Sequence, residues 1–322
     1  MRNETTNTAV PKLRFPEFQE AGEWEDNKLG SVCNITNGKS NAQDHLEGGK
    51  YPLFDRSEVI KASDNFLFDC EAVIIPGEGM RFVPKYYAGK FDLHQRAYAL
   101  KDFSCDGLFV YYTMAHLSQL LAKNAVQSTV LSLRLPILQN FPLQVPSLSE
   151  QQKIAATLSS LDDLLTAHSA KLAALQAHKR GLMQGLFPAE GETVPKLRFP
   201  AFREAGEWEE TTLGKIVKFS SGGTPSKDKP EYWNGETPWI SASSMHDYVI
   251  DESELYITDA AKKAGAAIAG KGVLLLLVRG SMLFKRIPMG ITAREVAFNQ
   301  DVKALQIAKG IAPLYLLYCL VV

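Results

Sequence analysis

Between residues 149 and 186 apolar side chains recur at alternating steps of four and three, at Ile154, Leu158, Leu161, Leu165, Leu172, Leu175, Leu182 and Leu186, with His168 and Lys179 in the two remaining places. This is a heptad seam, and it predicts one helix roughly 55 Å long at 1.5 Å per residue. Ser149 and Gln152 have capping-box spacing, Pro146 lies just outside, and Phe187-Pro188 followed by Gly191 closes the run. A small domain cannot bury a seam of that length, so the pattern favours pairing with another long helix over an amphipathic helix lying on its own domain. His168 and Lys179 read as register or edge features rather than ligands.

Elsewhere the pattern is that of short strands. YPLF, EAVIIPGEG, RFVPKYYAG and RAYAL, between residues 50 and 100, are β-branched and aromatic runs punctuated by Gly and Pro. A helix is predicted over 107–123, where Leu108, Tyr111, Tyr112, Ala115, Leu120 and Leu121 form an apolar face, and a Pro-broken stretch over 133–146 leads into the long helix. After that helix, ETPWISASSM, GVLLLLVRGSM and AREVAFNQDVKAL give further strands. The expected fold class is therefore mixed α/β (α+β), with β-rich cores.

One segment occurs twice. Residues 10–30 read VPKLRFPEFQEAGEWEDNKLG and residues 194–214 read VPKLRFPAFREAGEWEETTLG, identical at 16 of 21 positions with an offset of 184. A repeat unit of that size is a domain. The expected organisation is a first domain over 1–148, the long helix over 149–190, and a second domain over 191–322. Trp24 and Trp208, inside the repeat, read as packing residues that seat each domain. Trp233 and Trp239 read as core residues, with stacking or wedge roles as the other possibility.

Composition narrows the function classes. The 322 residues are 45% hydrophobic and 22% charged, as in an ordinary globular protein, and the net charge is −1. That charge argues against blanket electrostatic attraction to nucleic acid. Residues 31–148 hold 11 basic and 11 acidic side chains and residues 215–322 hold 13 and 10, so any such surface is a local face. Cys33, Cys70, Cys105 and Cys319 form no C-x-x-C pair, which indicates neither a zinc site nor a disulfide framework. Reduced thiols and a cytoplasmic location are expected, without membrane association, because the apolar runs are too short to span a bilayer.

Four features resemble the specificity subunit of type I restriction-modification systems of bacteria and archaea. They are the doubled PKLRFP-F---GEW----LG opening, the SEQQKIAATLSSLDDLL helix, GKFDLHQRAYALK in the first body, and GGTPSKDKPEYWNGETPWISASSM with VRG and AFNQDVKAL in the second. The resemblance covers nearly the whole chain. It implies two target recognition domains joined by a coiled-coil-type helix, which position methyltransferase subunits, and nuclease-translocase subunits for restriction, at a two-part site in double-stranded DNA. It implies no catalytic centre here, and S-adenosylmethionine, ATP and Mg would belong to the partner subunits. The residues agree. There is no N-P-P-F or D-P-P-Y type motif, the P-loop-like Gly38-Lys39-Ser40 has Cys33 where its first glycine must stand, and His94, His116 and His246 are isolated.

Reading duplex DNA requires cationic and small polar groups on phosphates and Arg, Asn, Gln, Ser or Thr at base edges. In the first body the candidates are Asn37, Lys39, Ser40, Arg56, Ser57, Arg81, Lys85, Tyr86, His94, Gln95 and Arg96, with Arg56-Ser57 and the 77–85 loop foremost. In the second they are Thr224, Ser226, Lys227, Ser243, Ser244, Arg279, Lys285, Arg286, Asn299 and Gln300. His94-Gln95 and Asn299-Gln300 occupy matching places, and a shared place is more often a structural turn than a base reader.

Against the family pattern, the second unit is expected to be C-terminally incomplete, since IAPLYLLYCLVV matches the position of the helix beginning near Gly107. The seam would then be free to pair with the same helix of a second copy in an antiparallel homodimer reading a symmetric site. An inactive remnant, or an interaction protein that sequesters methyltransferase subunits through its long helix, are the alternatives.

Overall fold

The computed structural model describes residues 10–127 and 130–321. Its internal contacts separate into two units, divided between Ala170 and Lys171.

The first unit is built on a six-stranded sheet in the order Asn34–Asn37, Ala97–Lys101, Phe68–Pro76, Lys85–Leu93, Tyr51–Phe54, Lys61–Ser63. Neighbours are antiparallel except Tyr51–Phe54, which runs parallel to Lys85–Leu93. The second half of the strand Phe68–Pro76, residues 72–76, is an unbroken buried apolar run because both its faces are covered. Val73 and Ile75 join Leu100, Val110, Met114 and Leu121 on one side, while Ala72 and Ile74 join Phe54, Phe91, Leu93 and Ala99 on the other.

Two local expectations change. The 107–123 helix is two helices, Gly107–His116 and Ser118–Asn124, broken where the Leu117 N–H is shared between the Thr113 and Ala115 carbonyls. Met114 on the first and Leu121 on the second are both fully buried. The Pro-broken stretch contains a short helix, Leu135–Gln139, and a strand, Pro142–Val145, which pairs antiparallel with Glu25–Lys28 of the opening segment.

The long helix runs Leu148–Leu186. Its cap is Ser147 rather than Ser149, because the Ser147 hydroxyl and carbonyl both accept from the Glu150 N–H, at 3.4 and 3.0 Å. Arg14 anchors that first turn from outside the helix. Its Nε and Nη2 donate to the two Glu150 carboxylate oxygens at 2.8 and 2.7 Å, and Nη1 donates to the Ala21 and Gly22 carbonyls. Both side chains are buried, 7% and 1% exposed. Trp24 adds a hydrogen bond to Glu150 at 3.3 Å and packs edge-on against Phe109, so it does more than fill space. Gln151 accepts from the Asp106 N–H and donates to the Pro146 carbonyl. Farther along, Tyr112 donates to Asp162 at 2.7 Å. Leu158, Leu161, Leu165, Leu172, Leu175 and Leu182 of the seam are exposed, and Ile154 is half-buried.

The second unit has two sheets. One is ordered Tyr256–Ile257, Trp233–Ile240, Val296–Phe298, Ile268–Ala269, and the other Val249–Ile250, Met289–Thr292, Leu274–Leu277, Val302–Ile307, Val217–Ser221. AREVAFNQDVKAL is therefore two strands on either side of the Asn299-Gln300 turn. The helix Pro313–Val321 places Leu316 and Leu317 against Leu274 and Leu305. Lys179, a seam position, lies over the rings of Tyr248 and Tyr318 at 5.1 and 5.6 Å.

Glu150→Gln removes the charge that neutralises Arg14, leaving a cation with little solvent around it. Urea unfolding followed by circular dichroism is expected to show a lower midpoint for the first unit, with the transition of the second unit unchanged.

Candidate nucleic-acid interface

Most of the polar candidates lie on loops at the ends of the strands, and main-chain bonds tie those loops together. In the first unit the Lys39 and Ser40 N–H groups donate to the Leu93 carbonyl, His94 N–H to Phe54, Gln95 N–H to Ser40, and Gly77 N–H to Arg96. Loops 37–41, 54–57, 77–84 and 93–96 thus form one rim. The second unit repeats it: Gly223 N–H donates to the Phe298 carbonyl, Asn299 N–H to Ile240, and Val278 N–H to Asp301. The parallel strand pairs match as well, Leu53 and Phe54 with Asp92 and Leu93, and Trp239 and Ile240 with Ala297 and Phe298.

Glycine permits the closest approach in each rim. A Cβ on Gly38 would stand 1.9 Å from the Leu93 carbonyl oxygen, and one on Gly222 would stand 2.2 Å from the carbonyl oxygens of both Phe298 and Asn299.

Side chains at the rim divide into those held internally and those presented outward. The Ser40 hydroxyl donates to buried Asp92 at 2.7 Å. Asn299 is buried, and its Oδ1 accepts from the Asp301 and Val302 N–H groups, both at 3.1 Å, closing the turn. His94 Nδ1 accepts from the Arg96 N–H. Ser57 is held by Asp55 and by the Val59 carbonyl. Burial alone pushes Asp55 upward, but hydrogen bonds from Lys61 and Ser57 outweigh it and hold the carboxyl below the usual range. Lys85 donates to the Ser57 carbonyl at 2.5 Å, and burial lowers its ammonium against the pull of Asp55 and Glu58. Ser244 pairs with Ser253, Ser243 with Ser241, and Ser226 accepts from the Asp228 N–H.

The outward set is Asn37, Lys39, Arg56, Arg81, Gln95 and Arg96 in the first unit, and Thr224, Lys227, Arg279, Lys285, Arg286 and Gln300 in the second. Several of these are lightly tethered. Asn37 donates to the Gln95 carbonyl, Gln95 to Asn41, Arg96 to Glu78, and Thr224 to Gln300. Arg286 donates to the Met245 carbonyl, and Arg279 stands 4.0 Å from Asp301. Tyr86 falls elsewhere: it donates to Glu71 at 2.7 Å and faces Tyr111, on the helix-bearing side of the sheet.

Sequence reasoning passed over two apolar residues on the corresponding loops, Met80 and Phe284, which are 80% and 94% exposed. Each directly precedes a basic residue, Arg81 and Lys285, and an apolar residue beside a cation in a Gly-rich loop was the signal available.

Gly38→Ala and Gly222→Ala are each expected to cost about 1–3 kcal/mol, since carbonyl groups must move to admit the methyl. Urea titration of the two variants measures this.

The family described as "Type I restriction modification DNA specificity domain" matches residues 21–177 and 205–322. The EcoR124I/EcoR124II type I restriction enzyme specificity subunit of Escherichia coli is 41% identical over 107 residues, 33% of this chain and 26% of that protein. The EcoDI specificity subunit, also from Escherichia coli, is 27% identical over 178 residues, 55% of this chain and 40% of the relative. The matched stretches therefore span less than half of these relatives. The crystal structure of a type I restriction-modification S subunit from M. genitalium shares the fold, with a TM-score of 0.64 at 18% identity over 96% of this chain and 78% of that one.

Proposed function

The chain belongs to the type I restriction modification DNA specificity family, and on that premise we propose that its two rims are DNA-reading surfaces that place a methyltransferase on a two-part duplex site. The observation that carries this reading is the doubling of the rim: the same loop-to-loop bonds, at equivalent strand ends, present basic and amide side chains in both units. Amides such as Gln95 and Gln300 match the paired edge of adenine, and arginines such as Arg56, Arg81 and Arg279 match guanine or phosphate. Met80 and Phe284 are suited to pressing against a base step or a thymine methyl.

The chain itself reads and positions. A target adenine would be flipped from the duplex into a pocket of the methyltransferase subunit, which would hold S-adenosylmethionine, while nuclease-translocase subunits would bring ATP and Mg for restriction. The seam leucines of the Leu148–Leu186 helix, exposed along most of its length, are the natural contact for those partners or for a second copy. No helix among the described residues is long and apolar enough to cross a membrane.

Mapping methylated adenines in cells that express the chain with its methyltransferase tests the proposal. A two-part motif is the expected result. Absence of new methylation when the proteins copurify would favour sequestration of the methyltransferase instead.

Two substitutions separate the roles within the rim. Arg279→Ala is expected to weaken binding of the specific site by about 1–3 kcal/mol and relax preference at one position if it reads a base. Lys227→Ala, on phosphate, is expected to weaken all sequences alike and reduce the salt slope by about 1. Fluorescence anisotropy at several salt concentrations distinguishes the two.

A further inference from the structure

One hairpin loop in each rim ends in a proline, and counted back from that proline the two loops align residue for residue. In the first unit the loop joins the antiparallel strands Phe68–Pro76 and Lys85–Leu93. In the second it joins Leu274–Leu277 and Met289–Thr292, which hold the same places in the order of their sheet. The first loop closes Met80-Arg81-Phe82-Val83-Pro84 and the second Phe284-Lys285-Arg286-Ile287-Pro288. Exposure follows the same alignment. Met80 and Phe284 are 80% and 94% exposed, Val83 and Ile287 are 51% and 56% exposed, Arg81 and Lys285 are exposed, and both prolines are buried.

The turns that present these side chains are anchored. In the first unit the Gly79 N–H donates to the Leu131 carbonyl at 3.1 Å, and Phe82 is fully buried in the core. In the second, the turn Ser281–Phe284 sets Met282 and Leu283 against the core. The Lys285 N–H donates to the Met282 carbonyl at 3.0 Å, and Arg286 donates to the Met245 carbonyl at 2.7 Å. A lone exposed apolar side chain is ordinary. Here a pair of them recurs on an anchored turn at the same point of both rims, with a cation between. That alternation suits a ligand that is apolar at one contact and anionic at the next, as a base step beside its phosphates is, and it breaks up the continuous apolar patch that a protein partner would need.

Resting on the reading of the rims as DNA surfaces, we propose that Met80 and Phe284 are wedges. Each enters a base step of its half-site, with Arg81 or Lys285 on the adjoining phosphate. Insertion unstacks the step, and the cost is smallest at flexible pyrimidine–purine steps. Each rim therefore selects a deformable step through the energy of opening it, without a hydrogen bond to either base pair. Phe284 also stacks its ring on a base, which Met80 cannot do, so the second rim holds its step more tightly.

The test uses the full chain with its methyltransferase and duplexes carrying the two-part site found by methylation mapping, with 2-aminopurine replacing each adenine in turn. Binding is expected to raise 2-aminopurine fluorescence at one step in each half-site as stacking is lost. Phe284→Ser should abolish the rise in one half only and Met80→Ser in the other, whereas leucine at either position should keep it. Each serine variant should weaken the site roughly tenfold by anisotropy, with the salt slope unchanged because no phosphate contact is removed. Both positions are exposed, and circular dichroism checks that the variants fold. Specific binding that is equal in wild type and both serine variants, with no fluorescence rise, would overturn the wedges and leave the reading of the rims intact. A loss of affinity with a reduced salt slope would overturn them by placing the loops on phosphate alone. Loss of the methyltransferase from the serine variants on copurification would overturn them by making the loops a protein contact. A wild-type complex that prefers no sequence would overturn the wedges and the reading of the rims together.

Discussion

The ion pair of Arg14 with Glu150 is the contact on which the organisation of the first unit depends. It joins residues 136 positions apart in sequence, and each partner has a second obligation. Arg14 holds the turn at Ala21 and Gly22, and Glu150 lies in the first turn of the long helix, where a carboxylate also favours the helix dipole. A buried pair of this kind adds little net stability over an apolar substitute, but breaking it is expensive. Its effect is therefore to make one arrangement much better than its neighbours. Close by in sequence, the strand Pro142–Val145 pairs with Glu25–Lys28, a second link between the opening segment and the start of the helix.

The large elements were legible in the sequence because they have periods. Heptad spacing located the long helix to within a residue, and the doubled opening segment announced two related units. The first residue of that helix was open to two readings: Ser149 and Ser147 both have capping-box spacing, to Gln152 and Glu150, and Ser147 takes the role. Leu117, where the two helices separate, has no Gly or Pro beside it to mark a break in the sequence.

The rim was legible as a list of residue types but not as a division of labour. Ser40 and Asn299 have the right chemistry for reading bases, and both are held by internal acceptors or donors whose positions only the fold supplies. Asp92 and Asp55 hold Ser40 and Ser57 inward, and in the sequence each is one acidic residue among many. Tyr86, one residue after Lys85, points to the opposite face because strand side chains alternate.

The bonds that hold each rim together run between main-chain groups, from Lys39, His94 and Gly77 in one unit and from Gly223, Asn299 and Val278 in the other. Main-chain bonds do not depend on which side chains the loops carry. The outward positions can therefore exchange one polar or apolar residue for another without disturbing the frame, provided the close-approach glycines stay. Two such rims in one chain can change their outward side chains independently of each other.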